Sequence, residues 1–183
     1  MILVVAATAF EAALADGHAV EAVACGVGPV EAALATTLAL AERRPDALVH
    51  IGIAGARSLP NGTLALGSEA VYCDVLDPSA RITRVTRVAP DADLLAAARR
   101  ALPDARVLPI GTTGRVGGGE GCEVEAMEGF AVLRAAELAG VPAIELRAVS
   151  NAVAETNRDR WSIDDALAAL GRGLDAVLQE LRA

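Results

Sequence analysis

Glu125-Ala126-Met127-Glu128-Gly129 stands at one end of a segment that continues through Arg147-Ala148-Val149-Ser150-Asn151 to Asn157-Arg158-Asp159-Arg160-Trp161. Residues 123–127 read as the edge of a strand and residues 129–139 as a helix. Residues 141–149 form an apolar run rich in β-branched and aliphatic side chains, which reads as a buried strand. A carboxylate therefore precedes the helix, and a serine–asparagine pair closes the following strand. Strand, helix and strand in this order make a crossover unit of the kind that builds α/β sheets.

The rest of the chain repeats the pattern. Residues 2–7 read as a fully buried strand, 18–24 as an alternating one and 47–53 as a buried one. The last runs into a turn-rich loop over 55–62. Strands are expected at 68–75, 81–88 and 106–110. Residues 29–43 read as a helix, with Pro29 at its first position and Pro45 just past its end. Residues 91–102 read as another, with Asp91 as its cap. Residues 162–181 form a long last helix whose apolar stripe runs through Ala166, Leu167, Leu170, Leu174 and Leu178. Strands alternating with helices predict a three-layer α/β architecture. No repeat or linker divides the chain, so one domain over 1–183 is expected.

Bulk composition narrows the function classes. A chain of 183 residues is long enough to bury about 70% of its unfolded surface. Hydrophobic residues make up 54% and charged residues 22%, which argues for a packed core rather than disorder. The net charge of −8 disfavours nucleic acid and anionic membrane as partners. Cys25, Cys73 and Cys122 are odd in number and widely spaced, which suits a reduced, cytoplasmic protein. His18 and His50 sit in no ligand spacing, so no metal and no cofactor are expected. The apolar start, residues 1–15, lacks a basic region and carries Glu11, so it reads as a first strand rather than a signal peptide.

Ligands of open α/β sheets bind beyond the carboxyl ends of the strands, and polar residues gather at several of those ends. Glu11 follows the first strand. It is open to two roles: a solvent-facing carboxylate favoured by a helix start, or a general base acting on water. Gly26-Val27-Gly28-Pro29 is a glycine turn into a helix without the third glycine of the dinucleotide fingerprint. Its N–H groups can hold an anion or a water. Gly52-Ile53-Ala54-Gly55-Ala56 reads as a small-residue turn that would let a ligand approach the backbone closely. Glu128, between Met127 and Gly129, is placed to accept hydrogen bonds from sugar hydroxyls and to stabilise positive charge on a sugar. N-glycosidic cleavage passes through an oxocarbenium-like state. It needs a base for water, an anion by the ribose and a group that draws charge onto the leaving base; Glu11, Glu128 and Asn151 match these in turn.

The order and spacing of these pieces resemble the purine nucleoside phosphorylase and nucleosidase superfamily, through residues 6–11, 25–33, 50–56, 67–75, 125–131 and 147–161. The resemblance implies a phosphorylase/hydrolase-like αβα fold around a central mixed sheet, a small-molecule nucleoside as ligand, and a homodimer or higher homo-oligomer. In it the Met127-Glu128 element grips the ribose, and the residue after Ser150 reads the purine. Methylthioadenosine/S-adenosylhomocysteine nucleosidases carry an aspartate there. Asn151, with residues 157–161, looks most like the futalosine hydrolase family of the alternative menaquinone pathway, which releases hypoxanthine. The two donors of an asparagine amide suit the N7 and O6 acceptors of a 6-oxopurine. Substrate contacts are accordingly expected from Phe10, Gly28, Ala54, Gly55, Met127, Glu128, Ser150, Asn151 and Arg158, with Arg147, Arg158 or Arg160 facing the carboxylated tail. Phe10 and Phe130 would stack on the base or cover the sugar, or else pack in the core, and Trp161 would form a pocket wall, or else a core or interface anchor. The loop over 111–121 offers Thr112 and Thr113 where relatives place an aromatic. A methylthioadenosine-type nucleosidase, a phosphorylase and a catalytically weak nucleoside-binding protein are the alternatives. A phosphorylase needs a cationic phosphate site, and Arg57 is the only basic residue close to the 52–56 segment.

Overall fold

The computed structural model describes residues 1–75, 84–119 and 121–183. Among the described residues eight strands and five helices follow one another: β1 (Ile2–Ala6), α1 (Ala9–Ala12), β2 (Glu21–Ala24), α2 (Pro29–Arg43), β3 (Ala47–Ala56), β4 (Leu64–Tyr72), β5 (Arg87–Val88), α3 (Ala92–Ala101), β6 (Arg106–Thr112), β7 (Val124–Ala126), α4 (Gly129–Ala139), β8 (Ala143–Ala152) and α5 (Ile163–Glu180). Single 3-10 turns occupy Ala13–Ala15 and Arg158–Arg160.

The strands form one mixed sheet with helices on its flanks, as expected, but not the flat centre of a three-layer sandwich. β3 pairs with β1 along its first half and passes the same edge to β7 at Gly55–Ala56. Its other edge carries β8, in parallel, from Leu48 to Ala56. β8 in turn pairs antiparallel with β4 through Leu64–Leu66. β4 pairs with β6, and β6 with β7. The circuit β3–β8–β4–β6–β7 thus returns to β3, and the sheet curls into a barrel-like closure from which β1, β2 and β5 extend. A small interior fits this curvature: Ala54, Ala56, Ala65 and Ala126 pack there with Ile110, Val124 and Val149.

Two larger apolar clusters clothe the outside. Val4 and Ala6 of β1 point to one, with Ile51, Leu146 and the buried stripe of α5 (Ala166, Leu170, Leu174, Val177, Leu178). Leu3 and Val5 point to the other, with Leu48 and the inner faces of α2 and α4. This alternation is the two-residue period of a strand, and it explains why β1 reads as apolar throughout. The expected bounds of α2 and of the helix over 129–139 match the structure. The segment 52–56, expected as a turn, is the second half of β3, with a bulge between Ala54 and Gly55. Of the expected strand over 81–88, residues 81–83 lie outside the described residues, residues 84–86 are irregular, and only Arg87–Val88 form a strand. Among the described residues no helix is long and apolar enough to cross a membrane.

Candidate active site

A cavity of about 420 Å³ opens where β1, β3, β7 and β8 end. Its wall includes nine of the ten expected contact residues: Phe10, Glu11, Ala54, Gly55, Met127, Glu128, Ser150, Asn151 and Arg158.

Glu11 is not a solvent-facing helix-start carboxylate; it is 5% exposed. Thr8 caps the short α1 and, with Glu11, forms a capping box in which side chain and backbone satisfy one another. One carboxylate oxygen accepts from the Thr8 N–H at 3.0 Å and the Thr8 hydroxyl at 2.7 Å. The other accepts from the Ile53 N–H at 3.0 Å. Three donors from two elements therefore fix the carboxylate at the cavity wall.

Glu128 sits at the start of α4 without capping it. Its Oε1 accepts from the Gly28 N–H at 2.9 Å. Gly28 adopts φ 95°, open to glycine at little steric cost, and this turns its N–H toward the carboxylate. Gly28 is thus the expected contact residue that does not reach the cavity. The anion that the glycine turn holds is the Glu128 carboxylate.

Arg147, one of three arginines that the sequence offered for the substrate tail, is buried at the cavity floor with 1% exposure. Its Nε donates to Glu145 at 2.8 Å, and its Nη2 contacts His50 Nε2 and lies 3.6 Å from Glu128. A Cβ on Gly52 would stand 2.1 Å from Arg147 Nη1 and 3.2 Å from Glu11 Oε1. Only glycine at 52 leaves room for the guanidinium and the carboxylate to come together. His50 donates from Nδ1 to the Val5 carbonyl at 2.9 Å, so Nε2 is its acceptor and the ring is neutral. Burial and then the Arg147 charge hold its pKa well below 6.5. Burial pushes the Glu145 carboxyl above the usual carboxylate range, against the pull of Arg147. Burial opposes the Arg147 charge, but Glu145 and Glu128 outweigh it and keep the guanidinium firmly protonated. The 2.8 Å contact decides for an ion pair.

Ser150 and Asn151 face the cavity from the end of β8. The Asn151 Oδ1 accepts from the Ser150 hydroxyl at 2.8 Å, and its Nδ2 donates to the Ala152 carbonyl at 3.0 Å. One amide N–H therefore remains, where the sequence reading counted two. Arg158 lies over the Trp161 ring, 5.4 Å from its centroid, and both line the mouth.

Other expectations are redistributed. Phe10 is 82% exposed at the rim, whereas Phe130 stacks on Tyr72 at 5.1 Å away from the cavity. Thr112 accepts from the Phe130 N–H and Thr113 donates to Asp74, so both are buried structural groups; Val116 is what this loop brings to the wall. Arg160 pairs with Glu155. Arg57 donates to the Cys122 and Gly119 carbonyls and is spent on that loop. Cys25, beside Glu128, is pushed up to about 12 by burial and then by that carboxylate, so it stays an unreactive thiol. Sequence reasoning missed Glu125, Glu145 and His50. Glu145 and Arg147 were visible as two charges one strand period apart in an otherwise apolar run.

The class follows from the comparisons. The phosphorylase superfamily model matches residues 5–182, and the chain belongs to that superfamily. Within it, the chain is 37% identical over 184 residues to futalosine hydrolase from Streptomyces coelicolor, an alignment covering 86% of this chain and 77% of that protein. Among solved structures, the fold is similar to a methylthioadenosine/S-adenosylhomocysteine nucleosidase from Colwellia psychrerythraea in complex with adenine, at a TM-score of 0.87 and 21% identity over 98% of this chain and 95% of that one. It is equally similar to a futalosine hydrolase mutant from Helicobacter pylori, at a TM-score of 0.87 and 16% identity over 98% of both chains.

Proposed function

We propose that the chain hydrolyses the N-glycosidic bond of futalosine, releasing hypoxanthine and dehypoxanthine futalosine for menaquinone biosynthesis in the cytoplasm. The observation that carries this reading is the meeting of Glu11, Glu128 and Asn151 around one cavity in a chain 37% identical to a futalosine hydrolase.

In this reading water lies between Glu11 and Arg147 Nη1, over Gly52. Glu11 takes a proton as the water oxygen bonds to the ribose C1′. The bond from C1′ to the purine nitrogen breaks, its electron pair leaves with the base, the base takes up a proton from water to become hypoxanthine, and Glu11 returns its proton to solvent. Glu128, held by Gly28, faces the 2′- and 3′-hydroxyls and stabilises the oxocarbenium charge. Met127, Ala54 and Gly55 shape the sugar and base walls. Asn151 has no acid proton to give. Its free N–H donates to N7 or O6 of the 6-oxopurine, where negative charge gathers, and Ser150 holds the amide for that contact. Arg158, backed by Trp161, meets the tail carboxylate. Phosphorolysis is disfavoured because Arg57 is spent on a loop and Arg147 is already paired.

A second copy of the chain completes the rim. Val27, Val30, Leu34 and Leu38 run along one exposed face beside Phe10, each more than half exposed, and so large an apolar stripe marks an interface.

The test is base release from futalosine, methylthioadenosine and inosine, each with and without phosphate. Hypoxanthine from futalosine alone, independent of phosphate, is the expected result. Adenine from methylthioadenosine, or a phosphate requirement, would overturn it.

A further inference from the structure

Glu145 is wholly buried on β8, and its Oε1 takes the Arg147 Nε at 2.8 Å. Its Oε2 has no hydrogen-bond partner. That oxygen lies against backbone: a Cβ on Gly129 would stand 2.3 and 2.4 Å from the two carboxylate oxygens, and one on Gly67 3.5 Å from Oε2. A buried carboxylate with one bare oxygen is costly, and an aliphatic side chain would satisfy this part of the core. What offsets the cost is the guanidinium beside it. Arg147 has further anionic neighbours in Glu128 and, across Gly52, Glu11. With His50 neutral, the group holds one cation against three carboxylates. Strand β8 thus buries a charge for Arg147 alone and leaves Glu11 and Glu128 to face the cavity.

We propose, on the reading of the reaction given above, that Glu145 is a positioning residue with a second effect on nucleophile choice: it aims Arg147 Nη1 at the side of Glu11 and cancels the attraction of the guanidinium for oxyanions, so that the cavity takes water and turns phosphate away. A lone buried arginine at the nucleophile side would be an oxyanion receptor, because guanidinium matches phosphate geometry. Pairing its Nε occupies one arm of that fork and offsets its charge at no loss of the Nη1 donor. The glycine at 129 belongs to the same device, since any side chain there would push the carboxylate off its partner.

The experiment compares wild type with Glu145→Gln, Glu145→Leu and Glu145→Asp. Binding of inorganic phosphate and of sulfate is read from the rise in thermal midpoint without nucleoside, and inhibition of base release is read beside it. Glu145→Gln and Glu145→Leu should bind both anions at least about tenfold more tightly than wild type and show competitive inhibition. Glu145→Asp, which keeps the charge, should exclude them as wild type does. Leu needs no hydrogen bond at the position, so it serves if the Gln variant does not fold. Unchanged anion affinity in a folded neutral variant would overturn the proposal. Equal tightening in Glu145→Asp would also do so, because space rather than charge would then be responsible. The thermal readout involves no substrate, so it stands even if futalosine proves not to be cleaved.

Discussion

Glu11 and Glu128 are alike in sequence, each an acidic residue at the start of a helix, and their surroundings separate them. Glu11 is fixed by Thr8 and Ile53 at the nucleophile side, and Glu128 by a single glycine N–H. On the proposed roles, in which Glu11 acts on water rather than on the nucleoside, Glu11→Gln should lower kcat by at least about 10²-fold while KM changes little. A variant that keeps near-normal turnover removes Glu11 as the base. Asn151→Asp tests the purine reading: kcat/KM for hypoxanthine nucleosides should fall relative to adenine nucleosides by about tenfold or more, a change of about 1–3 kcal/mol. An unmoved ratio would mean that Asn151 does not select the base. Both residues were legible because each follows a strand end. Arg147 was visible inside an expected buried strand and was one of three candidates for the tail, but its partners Glu145, His50 and Glu128 come from three different elements and emerge only in the fold.

Helix α4 shows what an element adds to its residues. It runs from Gly129 to Ala139 and is closed by Gly140, which takes φ 67°, the left-handed cap that glycine supplies. The bounds could therefore be read from the sequence, as could those of α2, with Pro29 at its first position. The second half of β3 could not. Gly52 and Gly55 look like turn residues, yet they stay in the strand because the missing side chains make room for Arg147 and Asn151. Composition alone does not distinguish a glycine that turns from one that yields space. Gly129→Ala separates the two at the helix start: the dihedral suits alanine, but the methyl meets Glu145. The substitution should cost about 1–3 kcal/mol in chemical denaturation and should loosen anion exclusion as Glu145→Gln does. A neutral or stabilising effect would show that α4 can shift aside.

At the scale of the whole molecule, the barrel-like closure was out of reach of sequence, because the antiparallel pairing of β4 with β8 joins strands far apart in the chain. The exposed stripe of α2 tests the proposed assembly: wild type should sediment as a dimer and Leu34→Glu as a monomer with a raised KM, and a variant that sediments as wild type does places the interface elsewhere. His50 predicts a pH dependence. Its folded pKa lies well below 6.5, so in acid the unfolded chain takes up a proton that the folded chain refuses. Stability should fall below about pH 6.5 by up to about 1.4 kcal/mol per pH unit. His50→Asn, which keeps a donor for the Val5 carbonyl, should flatten that slope, and an unchanged slope would assign it to other groups.

β8 is bonded on both edges where it carries Leu146, Arg147 and Ala148. Its amides there can exchange with solvent only when the molecule opens as a whole, whereas the loop over 113–119 hangs on a few side-chain contacts from Asp74, Glu125 and Arg57 and can open alone. On warming, the base wall at Val116 should therefore come apart while the nucleophile side is still intact, so affinity for nucleoside fades at temperatures where the deuterium-protected floor of the site has not begun to melt.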